Sequence, residues 1–132
     1  MAIDKVAYWI GIADYDIGTA EDLYNSSRWL YVAFMCHQTI EKTLKAFWCA
    51  TREDDPPYIH HLANLAIRSG LYDQMTEEQQ ELIASLMPMN IEARYPEYKQ
   101  KLAVNLNKTT CRTLIDDTKQ LQQWIKNKLL ES

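Results

Sequence analysis

A chain of 132 residues, 47% apolar and 24% charged, has the size and balance of one globular domain able to bury a core without staples. Only three glycines and four prolines argue against a strand-rich fold with many turns, and three cysteines without a CxxC spacing argue against a disulfide framework and a zinc site. The net charge of −4 is unevenly spread: residues 1–93 carry 6 basic and 14 acidic side chains, residues 94–132 carry 8 and 4. No N-terminal signal pattern and no run of about eighteen apolar residues is present, so a soluble cytoplasmic protein that avoids membranes is expected.

The predicted elements are helices with short connections. Val6, Trp9, Ile10, Ala13, Ile17, Ala20 and Tyr24 recur at three- and four-residue steps and predict a helix over 4–24, with Asp4 as its N-cap. Asn25-Ser26-Ser27 reads as a turn in which a serine before Arg28 caps the next helix. That second helix carries Trp29, Ala33, Phe34, His37, Ile40, Leu44 and Phe47 to about residue 50. Cys36 and Cys49 fall inside this pattern and read as small apolar fillers. So short a turn makes the two long helices antiparallel.

Pro56 and Pro57 break the helix, because proline lacks the amide donor and pushes its predecessor into extended geometry. A short helix over 61–68 follows, ended by Gly70. Thr76-Glu77-Glu78-Gln79 has the form of a capping box and starts a helix presenting Leu82, Ile83, Leu86 and Met87. Residues 89–96 read as irregular because Tyr95 precedes a proline, and 98–107 is ambiguous. The last helix, 109–130, carries Leu114, Thr118, Leu121, Ile125 and Leu129 as a seam against the first two. The fold class is therefore all-α, an antiparallel up-and-down bundle of about four to five helices in a single domain spanning 1–132. Lys119, Lys126 and Lys128 are read as cations suited to a helix C-terminus, with a local anion-binding surface as the alternative.

The candidate site is a polar row. Gln38, Glu41 and Lys45 stand at i, i+3 and i+7 and share one face of the second helix, beside the apolar Ile40, Leu44 and Phe47. Arg94 and Tyr95, held before Pro96, are its expected complement: Arg94 is either a bidentate clamp on a phosphate or carboxylate or an internal partner of Glu41. His37 reads as a packed residue. His60 and His61 read as capping and packing at a helix start, with a phosphate contact or proton donor as the functional alternative. No catalytic residue is assigned, no metal set at ligand spacing occurs, and no cofactor fingerprint is present.

Four motifs in order resemble the HEPN domain family. Trp9, Ala13, Asp16-Ile17 and Ala20 are similar to its first-helix pattern. Gln38-Thr39-Ile40-Glu41-Lys42-Thr43-Leu44-Lys45-Ala46 is similar to its Q-x-x-E-K-x-x-K-A signature. His60-His61-Leu62 with Leu65 resembles its H-D-L-x-x-L, and Ala93-Arg94-Tyr95-Pro96 its A-R-Y-P. The resemblance implies a helical bundle that forms homodimers and is paired with a minimal nucleotidyltransferase in a toxin–antitoxin or stress-response system. Some members are metal-independent ribonucleases in which about four to six intervening residues separate an arginine from a histidine that serves as general acid/base. Here that window after Arg94 holds Lys99, Gln100 and Lys101, so the expectation leans away from an enzyme. A non-catalytic module binding a nucleotide, an RNA phosphate or a nucleotidyltransferase partner is expected through Gln38, Glu41, Lys45, His60, Arg94 and Tyr95. The alternative is a ribonuclease toxin using Arg94 with His60 or His61.

Overall fold

The computed structural model describes residues 4–92 and 105–131, with every side chain among them except those of Ile91 and Glu92. Arg94 and Tyr95, and the ambiguous stretch up to residue 104, lie outside the described residues. Those described form helices α1 (Lys5–Asn25), α2 (Trp29–Thr51), α3 (Leu62–Arg68), α4 (Glu77–Glu92) and α5 (Lys108–Glu131), with a 3-10 turn at Tyr72–Gln74. The fold is an all-α bundle, and among the described residues no helix is long and apolar enough to cross a membrane.

Local chemistry accounts for most boundaries. Asp4 caps α1, its carboxylate accepting from Ala7 N at 3.0 Å. Thr76 and Gln79 form the expected capping box: Gln79 N donates to Thr76 Oγ1 at 3.2 Å and Thr76 N to Gln79 Oε1 at 2.9 Å. Gly70, at φ +84°, ends α3 while Leu71 N reaches back to Ala66 O at 3.0 Å. That pairing is the Schellman form, which needs the left-handed conformation glycine adopts freely.

The turn between α1 and α2 differs from expectation. No serine caps α2; its N-cap is Arg28, without a side-chain hydrogen bond. Ser27 instead takes φ +61° and closes α1: Arg28 N donates to Leu23 O at 2.8 Å and Ser27 N to Tyr24 O at 3.0 Å. The carbonyls left open at the end of α1 thus decide the conformation of the turn. Helix α4 is also longer than expected. The conformational restriction imposed by Pro96 acts on Tyr95 and does not reach back to residues 89–92, which continue the helix. Pro88 is tolerated inside α4 because it and Ala84, whose carbonyl it leaves unpaired, are both exposed.

α2 runs through the middle of the bundle and is buried along most of its length. It lies antiparallel to α1: Tyr24 meets Trp29 edge-to-face at 5.5 Å at one end, and Lys5 pairs with Asp55 at the other. Ile40 and Leu44 share a core with Leu62, Leu65, Ile83, Leu86, Ile115, Leu121 and Ile125. Of the expected seam on α5, Thr118, Leu121 and Ile125 are buried, while Leu114 and Leu129 pack at its margin. Burial pushes the free thiol of Cys36 up to about 12 and that of Cys111 up to about 11, so both are protonated fillers; Cys49 is only partly buried.

Lys119 and Lys126 are not spent on the dipole of α5. Glu21 receives Arg112 Nη1 at 2.9 Å, Arg112 Nη2 at 2.6 Å and Lys119 Nζ at 2.6 Å. Asp14 receives Gln122 Nε2 at 2.9 Å and Lys126 Nζ at 2.7 Å. The basic side of α5 is thus matched to the acidic side of α1, and only Lys128 sits in the last turn. Since a left-handed L-residue carries about 1–2 kcal/mol of strain, Ser27→Gly is expected to raise stability by up to about 1 kcal/mol after its added chain entropy. Urea unfolding checks this, and an unchanged or lower midpoint would refute it.

Candidate functional site

The polar row on α2 is built around a carboxylate removed from water. Glu41 is fully buried, and Lys42 Nζ lies 2.8 Å and Lys45 Nζ 3.2 Å from its Oε2. Its other oxygen, Oε1, accepts from His60 Nδ1 at 2.8 Å. Burial alone would raise the carboxyl's pKa, but the hydrogen bond and charge of Lys42, the charge of Lys45 and the His60 contact outweigh it and hold the group below its usual range. Glu41 is therefore an anion at neutral pH with its lone pairs engaged.

His60 arrives from a different element. Residues 52–61 leave the end of α2 and fold back along the face it shares with Glu41: Trp48 Nε1 donates to Asp54 O at 3.2 Å, and His37 Nε2 donates to His60 O at 3.1 Å. His37 Nδ1 lies 3.1 Å from Gln38 Oε1, which joins Gln38 to the cluster through the histidine. His37 is buried, and that burial holds its pKa below the ordinary histidine value. His61 turns away and caps α3, its Nδ1 accepting from Asn64 N at 3.0 Å. Capping at the helix start was expected of both histidines and holds for His61 alone; His60 is the ligand of Glu41, its side chain 49% exposed.

Beside the cluster a cleft of about 510 Å³ opens between the start of α1 and the α2–α3 connection. Lys45 lies at its inner side, Trp9 and Tyr8 form one wall, and Pro56, Pro57 and Tyr58 the other. The Trp9 ring stands 5.4 Å from Lys45 Nζ and 5.8 Å from Lys42 Nζ, within cation–π range, and meets Tyr8 edge-to-face at 5.2 Å. Tyr8 is 56% exposed and Tyr58 fully so. Asp16, partly buried near Lys42 and Glu41, has its carboxyl raised above the usual range, chiefly by burial.

The structure thus joins Gln38, Glu41, Lys45 and His60 in one network and adds His37, Lys42, Trp9 and Asp16. No local periodicity marks Trp9 or Tyr58 as a wall, because the cleft exists only once α1 and the connection are packed across α2. Among the described residues no group of histidine, cysteine or carboxylate side chains is arranged to hold a metal ion.

Residues 6–128 match the model of the HEPN domain family. The chain belongs to the HEPN domain family. The backbone also resembles that of the crystal structure of TT1696 from Thermus thermophilus, with a TM-score of 0.80 at 16% identity over 96% of this chain and 99% of that one. At that identity the likeness concerns the fold. No curated protein matches the chain. Among these HEPN residues, the Q-x-x-E-K-x-x-K-A segment corresponds physically to Glu41 and the groups that surround it.

Removing Glu41 would leave the ammonium of Lys45, whose side chain is 6% exposed, without its counter-charge. Glu41→Ala is accordingly expected to cost about 3–5 kcal/mol in chemical denaturation; a loss below about 1 kcal/mol would contradict the arrangement. Acidification should act in two stages. The unfolded chain protonates His37 more readily than the folded one, so stability falls as pH drops through the ordinary histidine range near 6.5. The low folded pKa of Glu41 contributes stability above the ordinary carboxylate range, and this is lost below about 4.5. Unfolding free energy measured from pH 8 to 3 tests both stages, and His37→Gln should remove the upper one.

Proposed function

We propose that this protein is a non-catalytic HEPN module that binds the phosphate and base of a nucleotide, or of an RNA terminus, in the cleft beside Glu41. It acts as a homodimer paired with a minimal nucleotidyltransferase in a toxin–antitoxin or stress-response system. The observation that carries the reading is the junction of Lys45 with three exposed or partly exposed aromatic rings in one cleft. A flat base stacks on Trp9, Tyr8 or Tyr58, and a phosphate seeks the ammoniums of Lys45 and Lys5. Opening the Lys5–Asp55 pair at the mouth frees the second cation, at small cost because both groups are exposed. Arg94 and Tyr95 remain part of this proposal through the family resemblance, as the complement of the polar row.

A ribonuclease is the second reading, and one observation favours it. Glu41 holds His60 by Nδ1, an arrangement that sets the tautomer of an imidazole and leaves its other nitrogen able to exchange protons. Of the two histidines weighed with Arg94, His60 is the better candidate: Nδ1 of His61 accepts from Asn64 N, which keeps the ring proton on its other nitrogen, whereas Nδ1 of His60 donates to Glu41 and leaves a lone pair on Nε2.

Calorimetry with AMP and with a short oligoribonucleotide separates the readings. Binding without cleavage, weakened by about 1–3 kcal/mol in Tyr58→Ala, is the expected result, because Tyr58 is fully exposed and its loss leaves the fold intact. No heat with either ligand would sink the binding proposal. RNA cleavage abolished by His60→Ala would replace it with the second reading. Co-purification with a minimal nucleotidyltransferase encoded beside the gene tests the partner, and separate elution of the two proteins would remove that part.

A further inference from the structure

Helices α4 and α5 both lean on α2 but meet each other only lightly. Between them runs a groove formed by two adjoining cavities, of about 350 Å³ and 450 Å³, that share Glu78, Leu82 and Asp117. On α4, Glu78, Glu81 and Leu82 lie within one helical turn; on α5, Leu114, Asp117 and Leu121 follow three- and four-residue steps. Leu82 and Leu114 pack onto the core from the groove floor. Glu78, Glu81 and Asp117 are exposed, and among the described residues no lysine or arginine lines either cavity.

The contrast with the opposite side of α5 is informative. There Arg112, Lys119 and Lys126 are each tied to a carboxylate of α1. On the α4 side, none of the three carboxylates has an ion-pair partner among the described residues. Carboxylates gathered along an apolar floor give the groove a negative potential that draws a cation from outside. Phosphates of nucleic acid and anionic lipid headgroups are repelled there. A second copy docked face to face on a two-fold axis would bring the same carboxylates against themselves. A cationic partner with apolar side chains fits both features. The span from Glu78 to Ser85 on α4 corresponds to about two helical turns, at about 1.5 Å per residue.

We propose that the α4–α5 groove docks a basic amphipathic helix of a partner protein. Its apolar ridge lies on Leu82 and Leu114, and its lysines or arginines meet Glu78, Glu81 and Asp117. The groove shares no lining residue with the aromatic cleft, so this inference stands apart from the ligand proposed for that cleft.

The test uses a fluorescent, amidated peptide of about 18 residues built from leucine and lysine, with leucines on one helical face, and a scrambled peptide of the same composition. The whole protein is expected to bind the amphipathic peptide at least tenfold more tightly than the scrambled one. Glu78→Lys with Glu81→Lys and Asp117→Lys should reduce that affinity at least tenfold, and Asp117→Asn alone by a smaller factor, with unchanged circular dichroism. Amide chemical-shift changes should gather around Leu82 and Leu114. Equal affinity for the two peptides, insensitivity to the charge changes, or shifts gathered elsewhere would overturn the proposal. So would a dimer in sedimentation that the triple substitution dissociates, since the groove would then belong to a second copy.

Discussion

Glu41 is a charge placed where water does not reach, and that placement constrains everything around it. An isolated carboxylate at such a depth would take up a proton or unfold the site. This one keeps its charge because α2 supplies two ammoniums, from the adjacent Lys42 and from Lys45 one turn on, and the connection to α3 supplies an imidazole. Two of those donors are local and come with the helix. The third requires residues 52–61 to return across α2, and the His37 contact with the His60 carbonyl secures that return. A buried ion cluster is rarely the most stable filling for a core. Its consequence here is geometrical, since the same connection brings Pro56, Pro57 and Tyr58 opposite Trp9 and forms the cleft.

Charge is sorted by face in the rest of the bundle. The carboxylates of Asp14 and Glu21 are matched by the cations of α5, and Arg112 with Lys119 hold Glu21 well down, to about 2. Those pairs are partly exposed, so they set the orientation of the two helices more than the stability of the fold. The carboxylates between α4 and α5 have no such match among the described residues. The chain thus carries a cleft lined by lysines and aromatic rings and, elsewhere, a groove whose carboxylates are unmatched among the described residues.

Much of this was legible in the sequence, and what was missed has identifiable causes. Helix spans followed from periodicity, and Asp4, Gly70 and the Thr76–Gln79 box followed from capping chemistry that acts within a few residues. The polar row was legible for the same reason: Gln38, Glu41 and Lys45 share a face by helical geometry alone. Ser27 was misassigned because its two possible roles, capping α2 or closing α1, compete over the same residues. The pairing of Lys119 and Lys126 with α1 depends on tertiary packing, although the charge asymmetry between the two parts of the chain hinted at it. Trp9 and Tyr58 gave no local sign of facing each other. Arg94 and Tyr95, the expected complement of the row, lie outside the described residues.

Hydrogen exchange in Glu41→Gln tests most directly whether the buried carboxylate positions the connection that forms the cleft. The substitution keeps the size of the side chain and removes its charge. Faster exchange is expected at Ile59 and Asn64, whose amides are bonded within the connection and the first turn of α3, with α5 unchanged. Exchange that is unaltered at those two amides, or raised equally throughout the bundle, would contradict it.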